Sequence, residues 1–171
     1  ALERQTATSE VLEVISSSVA DTAPVFDKIL QSCKKLFDSW QQGLVLITPD
    51  GFVRLGANHG SAQAGLQKIF GDGNRVPAKH YIAGILAGKV LHFVNTLAPE
   101  VPWAVRSVAE QLNIGPYSQL LAPMSWEGQP VGFLYVLRQP ATGFNASEIS
   151  LLETFADQAV IAIQNARMFR E

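Results

Sequence analysis

The sequence predicts an α+β fold in which helices cover both faces of a central antiparallel sheet. Two stretches carry the hairpin signature of strand-forming residues around a Gly-containing turn. One is Gly43–Asn58, centred on Pro49-Asp50-Gly51, and the other runs from Tyr117 to Arg138 through Trp126-Glu127-Gly128. A lone strand pattern, Lys89-Val90-Leu91-His92-Phe93-Val94, lies between them. Helical periodicity clusters before, between and after these segments without regular β-α alternation, which disfavours a doubly wound parallel sheet. With 47% hydrophobic and 16% charged residues in a chain of 171, the composition suits one domain with a substantial core and excludes a disordered chain.

Each element has a local reason. Leu2 to about Val19 reads as a helix whose apolar stripe (Leu2, Leu12, Ile15, Val19) is thin, so it needs a partner, and the C-terminal helix is the expected one. Asp21-Thr22-Ala23-Pro24 breaks that helix and starts the next, because proline is tolerated in a first turn. Phe26, Ile29, Leu30, Cys33, Leu36 and Phe37 then form one helical face, which makes Cys33 a core thiol. Gly43–Thr48 and Phe52–Asn58 are strands. Short helices are expected over Ser61–Phe70, ended by Gly71-Asp72-Gly73-Asn74, and over Ala78–Gly88, weakened by Gly84. An irregular stretch from Asn95 to Pro102 precedes a helix over Trp103–Leu112. After the second hairpin, Asn145-Ala146-Ser147-Glu148 is a capping box. It opens a long helix with Ile149, Leu152, Phe155, Ala156, Ala159, Val160, Ile163 and Ala166 at helical spacing.

Several function classes lack support. A net charge of −2 gives no electrostatic reason to expect nucleic acid or an anionic membrane as partner. No apolar run approaches the length of about 20 residues that spans a bilayer. A single cysteine rules out an intramolecular disulfide framework and suits a reducing, cytoplasmic compartment. Gly84-Ile85-Leu86-Ala87-Gly88-Lys89 is too short for a phosphate loop and has Val90 where a hydroxyl should hold magnesium. Gly71-Asp72-Gly73-Asn74-Arg75-Val76 lacks the third glycine of a dinucleotide fingerprint. His59, His80 and His92 are not spaced as metal ligands, and nothing marks a nucleophile with its base. No enzyme activity, cofactor or metal is expected.

The candidate ligand-binding residues are Tyr81, His92, Phe93, Trp103, Arg106, Tyr117, Gln119 and Tyr135. They flank the irregular middle of the chain, and rings with a few polar groups are the inventory of a concave apolar site. The same rings serve equally as filling between short helices and sheet. His92, alternating with apolar neighbours, fits a half-buried structural role as well as a ligand contact.

The closing half of the chain resembles a GAF domain. The residues that carry the likeness are S-Q-L-L-A-P-M at 118–124, E-G-Q-P-V-G-F-L at 127–134 and F-N-A-S-E-I-S-L-L-E-T-F-A-D-Q-A-V-I-A-I-Q-N-A-R-M-F at 144–169. The resemblance implies a regulatory sensing module with a sheet of about five to six strands. Its terminal helices would lie on one face and commonly pair with a second copy, while short helices and loops enclose a small-molecule pocket on the other. It also implies a single domain: 1–20 a dimerisation or linker helix, 21–145 sheet and pocket, 146–171 a helix continuing toward an output domain such as a histidine kinase or nucleotide cyclase. No Gly or Pro follows Phe169 to stop that helix. Cyclic-nucleotide-binding members resemble an N-K…F-x-x-x-D/E pattern, and here Phe144 and Glu148 fit but Arg138-Gln139 stand near where Asn-Lys is expected. Covalent tetrapyrrole attachment uses a pocket cysteine, whereas Cys33 sits in an early helix; free methionine sulfoxide reduction needs two cysteines. The expected partners are an unidentified small molecule and a second copy of the chain, with no nucleic acid and no membrane.

Overall fold

The computed structural model describes residues 23–71 and 74–170. The expected helix Leu2–Val19 lies outside them. The elements are α1 (Ala23–Phe37), β1 (Gln41–Ile47), β2 (Val53–Gly60), α2 (Gln63–Phe70), α3 (Ala78–Tyr81), α4 (Ala83–Leu86), β3 (Leu91–Phe93), α5 (Trp103–Leu112), β4 (Ser118–Trp126), β5 (Gln129–Arg138) and α6 (Ala146–Arg170). The strands form one sheet in the order β2-β1-β5-β4-β3, and every pairing is antiparallel. This is the α+β architecture expected from the sequence.

Because side chains alternate across a strand, the central strands feed two cores. Leu44 of β1, Leu120, Ala122 and Met124 of β4 and Leu134 and Val136 of β5 face α1 and α6, where they meet Ile29, Cys33, Phe37, Leu152, Phe155 and Ala159. Val45, Leu121, Phe133, Tyr135 and Leu137 face the other way, onto α2, α4 and α5 through Leu66, Phe70, Ile85, Val105 and Val108. The long terminal helices therefore share one face and the short ones the other. Burial of this kind stabilises by roughly 25 cal/mol per Å² of apolar surface.

Local chemistry explains the framework. Glu127 and Gly128 join β4 to β5 with φ of 51° and 78°, the two positive values a type I′ hairpin turn requires. Gly132 sits where β5 crosses β1, and a methyl group there would fall on the Val45 carbonyl oxygen. At the start of α6 the expected capping box is formed. Glu148 N–H donates to Asn145 Oδ1 at 2.8 Å, and Asn145 N–H donates to Glu148 Oε1 at 2.9 Å.

Two expectations are corrected. The helix foreseen over Ala78–Gly88 is two short helices, broken at Ile82 (φ −134°, ψ 48°). The break allows Ile82 and Ile85 both to be fully buried in the second core. The lone strand is limited to Leu91–Phe93. The helix expected over Trp103–Leu112 is formed as α5, and Trp103, its first residue, is 73% exposed.

Candidate functional site

The face of the sheet covered by the short helices holds a small, predominantly apolar cavity. Its walls come from β1 (Val45), β2 (Val53, Leu55), α2 (Leu66, Phe70), α5 (Val108) and β5 (Phe133, Tyr135, Leu137), and it is completed by Tyr117 and Gln119. The period-2 alternation of β5 delivers its three residues to one side together. Free space at the centre is about 20 Å³, room for about one water.

Two polar features stand in these walls. The Tyr135 hydroxyl donates to Asn58 Oδ1 and accepts from Gln41 Nε2 at 3.2 Å. Gln41 is itself fixed, because its Oε1 accepts the Ala62 N–H at 2.9 Å at the entry to α2. Gly43 leaves room for this network: a methyl group there would fall on the Asn58 side chain and come within 2.9 Å of Tyr135 Cε2. The second feature is Gln119. The residue is 6% exposed, and its Oε1 is buried without a hydrogen-bond partner. An unmet buried acceptor costs about 1–3 kcal/mol, so among the described wall residues Gln119 is the one whose side-chain oxygen would gain from a donor brought to it.

The eight candidate residues do not converge. Tyr117, Gln119 and Tyr135 line the cavity. Phe93, paired with Gln119 across β3–β4, packs against the same core without being part of the wall. Tyr81 ends α3, and its side chain lies outside the described residues. Trp103 is exposed. Arg106 clamps the loop before α5, donating to the Pro99 carbonyl at 2.8 Å and the Val101 carbonyl at 3.3 Å, with Glu110 3.9 Å away. His92 pairs with Leu120 and therefore lies on the opposite face. There its Nε2 accepts the Phe144 N–H at 3.0 Å, and its ring packs edge-on against Phe144. Burial lowers the His92 pKa and the positive charge of Arg138 lowers it further, against the opposing effect of Glu148. The neutral imidazole is the form that can accept this bond. Gln41 and Asn58 escaped sequence reasoning, although a Gln-Gln pair opening an otherwise apolar strand was a signal available there.

The same two strands that shape the cavity also hold the start of α6. Gln119 pairs with Leu137 on the cavity side, and the preceding pair in the register, Ser118 with Arg138, faces α6. The Arg138 guanidinium bonds Glu148 through both Nη atoms, at 2.6 and 3.1 Å, and donates to the Phe37 carbonyl at 2.7 Å and the Gly143 carbonyl at 2.6 Å. It also stacks 4.2 Å from the centre of the Phe144 ring. Ser118 Oγ accepts the Gly143 N–H at 2.7 Å and donates to the Val94 carbonyl at 2.6 Å. Cys33, fully buried under α6, has its pKa pushed far up by desolvation, which leaves an inert thiol.

The fold recurs in solved structures of low sequence identity. The GAF domain of a phosphoenolpyruvate-protein phosphotransferase from Coxiella burnetii superposes with a TM-score of 0.75 at 14% identity, covering 99% of this chain and 97% of that one. Free methionine-R-sulfoxide reductase from Neisseria meningitidis, solved with its substrate, gives 0.74 at 14% identity, covering 97% and 91%. A far-red cyanobacteriochrome photoreceptor gives 0.67 at 19%, covering 96% and 97%. No curated protein sequence matches the chain. The GAF domain family profile matches residues 19–164, and with the antiparallel sheet, helix placement and capped α6 described above, the chain belongs to the GAF domain family of signalling and sensing modules.

Proposed function

We propose that the domain is the ligand-sensing regulatory part of a signal-transduction protein, such as a sensor histidine kinase or nucleotide cyclase. It binds a small molecule in the cavity beneath the short helices and passes occupancy to α6. The observation that carries this reading is the shared register of β4 and β5, with Gln119 and Leu137 at the cavity and Ser118 and Arg138 at the start of α6. A ligand that shifts either strand changes the anchorage of the helix. It acts through its differential affinity for two helix arrangements. Binding residues are Tyr117, Gln119 and Tyr135, supported by Gln41 and Asn58. The domain acts in the cytoplasm as a homodimer paired through its N- and C-terminal helices; Ile161, 43% exposed in the middle of α6, fits a helix that pairs further. No helix among the described residues is long and apolar enough to cross a membrane. Reduction of methionine sulfoxide through a disulfide cycle is disfavoured, since the single cysteine lies on the face opposite the cavity.

A second reading, a structural dimerisation module with a filled pocket, is favoured by the small free volume of about 20 Å³. Thermal unfolding against a panel of nucleotides, amino acids, tetrapyrroles, aromatic acids and fatty acids separates the two. A specific ligand at about 100 times its dissociation constant adds about 2.7 kcal/mol, a rise on the order of 5 °C in Tm for a domain of this size. A selective rise supports sensing. Cooperative unfolding of a dimer with no rise across the panel supports the structural module.

A further inference from the structure

We propose that the cavity selects an uncharged ligand with a hydrocarbon or aromatic body and one N–H or O–H donor, delivered to Gln119 Oε1. This rests on the reading of the cavity as the ligand site and goes further by naming the chemistry it accepts. Among the described residues none in the wall is charged, and apart from Tyr117, Gln119 and Tyr135 all are hydrocarbon. An anion or ammonium drawn into such a space would lose its hydration with no counter-charge to replace it, which is prohibitive. Nucleotides, free amino acids and propionate-bearing tetrapyrroles are therefore excluded by charge, independently of their size. The Tyr135 hydroxyl already donates to Asn58 and accepts from Gln41, so it offers a ligand a ring and no donor proton. Gln119 Oε1 is the unpartnered acceptor. A water in its place would meet one unmet acceptor, where buried waters typically make about three hydrogen bonds. A molecule with an apolar body and one donor satisfies the oxygen and the hydrocarbon walls together.

Space dictates how such a ligand enters. With about 20 Å³ free, even a single six-membered ring displaces part of the wall. The displaced part is α2: it brings Leu66 and Phe70 to the cavity, is eight residues long, and begins without a side-chain cap. The ligand is therefore small, of one or two rings, and binds by moving this short helix outward.

The test uses the intact chain and four probes of defined chemistry: phenol, indole, toluene and benzoate. Affinities are read by calorimetry and by the rise in unfolding temperature at neutral pH. Phenol and indole are expected to bind and benzoate is not. In Gln119→Met, which keeps side-chain volume but removes the strong acceptor, the ratio of phenol to toluene affinity falls by about three- to tenfold, the worth of one neutral hydrogen bond. Gln119→Leu repeats the measurement if the methionine variant folds poorly. Benzoate binding as tightly as phenol, and lost on filling the cavity with Val108→Trp, overturns the ligand class while the cavity stands as the site. An unchanged phenol-to-toluene ratio overturns the role of Gln119. Binding of the probes that Val108→Trp leaves intact, or no binding by any probe, overturns the cavity itself as the site.

Discussion

Replacing Arg138 with methionine tests whether the last helix is pinned to the sheet as the structure indicates. The guanidinium meets two carbonyl groups, from α1 and from the loop before α6, together with both oxygens of Glu148. The two side chains are 18% and 13% exposed, so solvent screening is weak and the surface value of about 0–1 kcal/mol does not apply. Methionine fills much of the same volume but takes the Arg138 guanidinium away from Glu148 and from the Phe37 and Gly143 carbonyls. Breaking one side of a buried pair costs about 3–5 kcal/mol, a fall of roughly 6–20 °C in Tm at this size. Urea unfolding followed by circular dichroism reads the loss directly. The double variant Arg138→Met/Glu148→Gln should recover part of it, because the mostly buried carboxylate charge that faced Arg138 is gone while Glu148→Gln still offers Asn145 N–H an acceptor. A loss below about 1 kcal/mol, or strict additivity of the two changes, would refute the reasoning: the bridge would then behave as an exposed pair and α6 would be held by its apolar face alone.

Other expectations follow from single contacts. Tyr135→Phe removes the hydroxyl between Asn58 and Gln41 and should cost about 1–3 kcal/mol in urea unfolding, since the buried Gln41 and the half-buried Asn58 each lose a bond. Gly132→Ala pushes a methyl group onto the Val45 carbonyl. Because neither strand of the β1–β5 pair can give way cheaply, it should be among the most destabilising substitutions of a single methyl, and loss of folded, soluble protein is the readout. For His92, the folded pKa lies below the ordinary imidazole value of about 6.5, through burial first and then Arg138. The unfolded chain thus takes up the proton first, so this contribution to stability is complete above about pH 6.5 and is lost as pH falls through the folded pKa. Comparing His92→Asn with the parent between pH 7 and pH 5 isolates it, and the variant should show a flatter decline.

Legibility followed the range of the interactions. The Asn145–Glu148 box and the α6 stripe are local in sequence and could be read directly. The hairpins announced themselves through Gly51 and Gly128, and Tyr117, Gln119 and Tyr135 were recognisable by residue type. What escaped depended on register and on distant partners. A shift of one residue along a strand exchanges the two faces, so the sequence could not tell that His92 faces α6 while Phe93 faces the other core. Tyr135 and Gln41 are 94 positions apart, and no local pattern joins them. Arg138 stood out in the sequence only as a mismatch to a cyclic-nucleotide pattern, yet it is the residue that ties β5 to α6. Trp103 was a candidate by residue type alone, which does not reveal that it stands at the first turn of α5 and meets solvent.

Amide hydrogen exchange at Gly143, Phe144 and Asn145 tests the central claim most directly, measured with and without the compound that raises the unfolding temperature most. These amides bond Ser118, His92 and Glu148 at the start of α6, on the face opposite the cavity. Transmission through β4 and β5 predicts that occupancy alters their protection along with that of the cavity walls. A change confined to α2, α5 and the cavity face of the sheet, with these three amides unmoved, would contradict it.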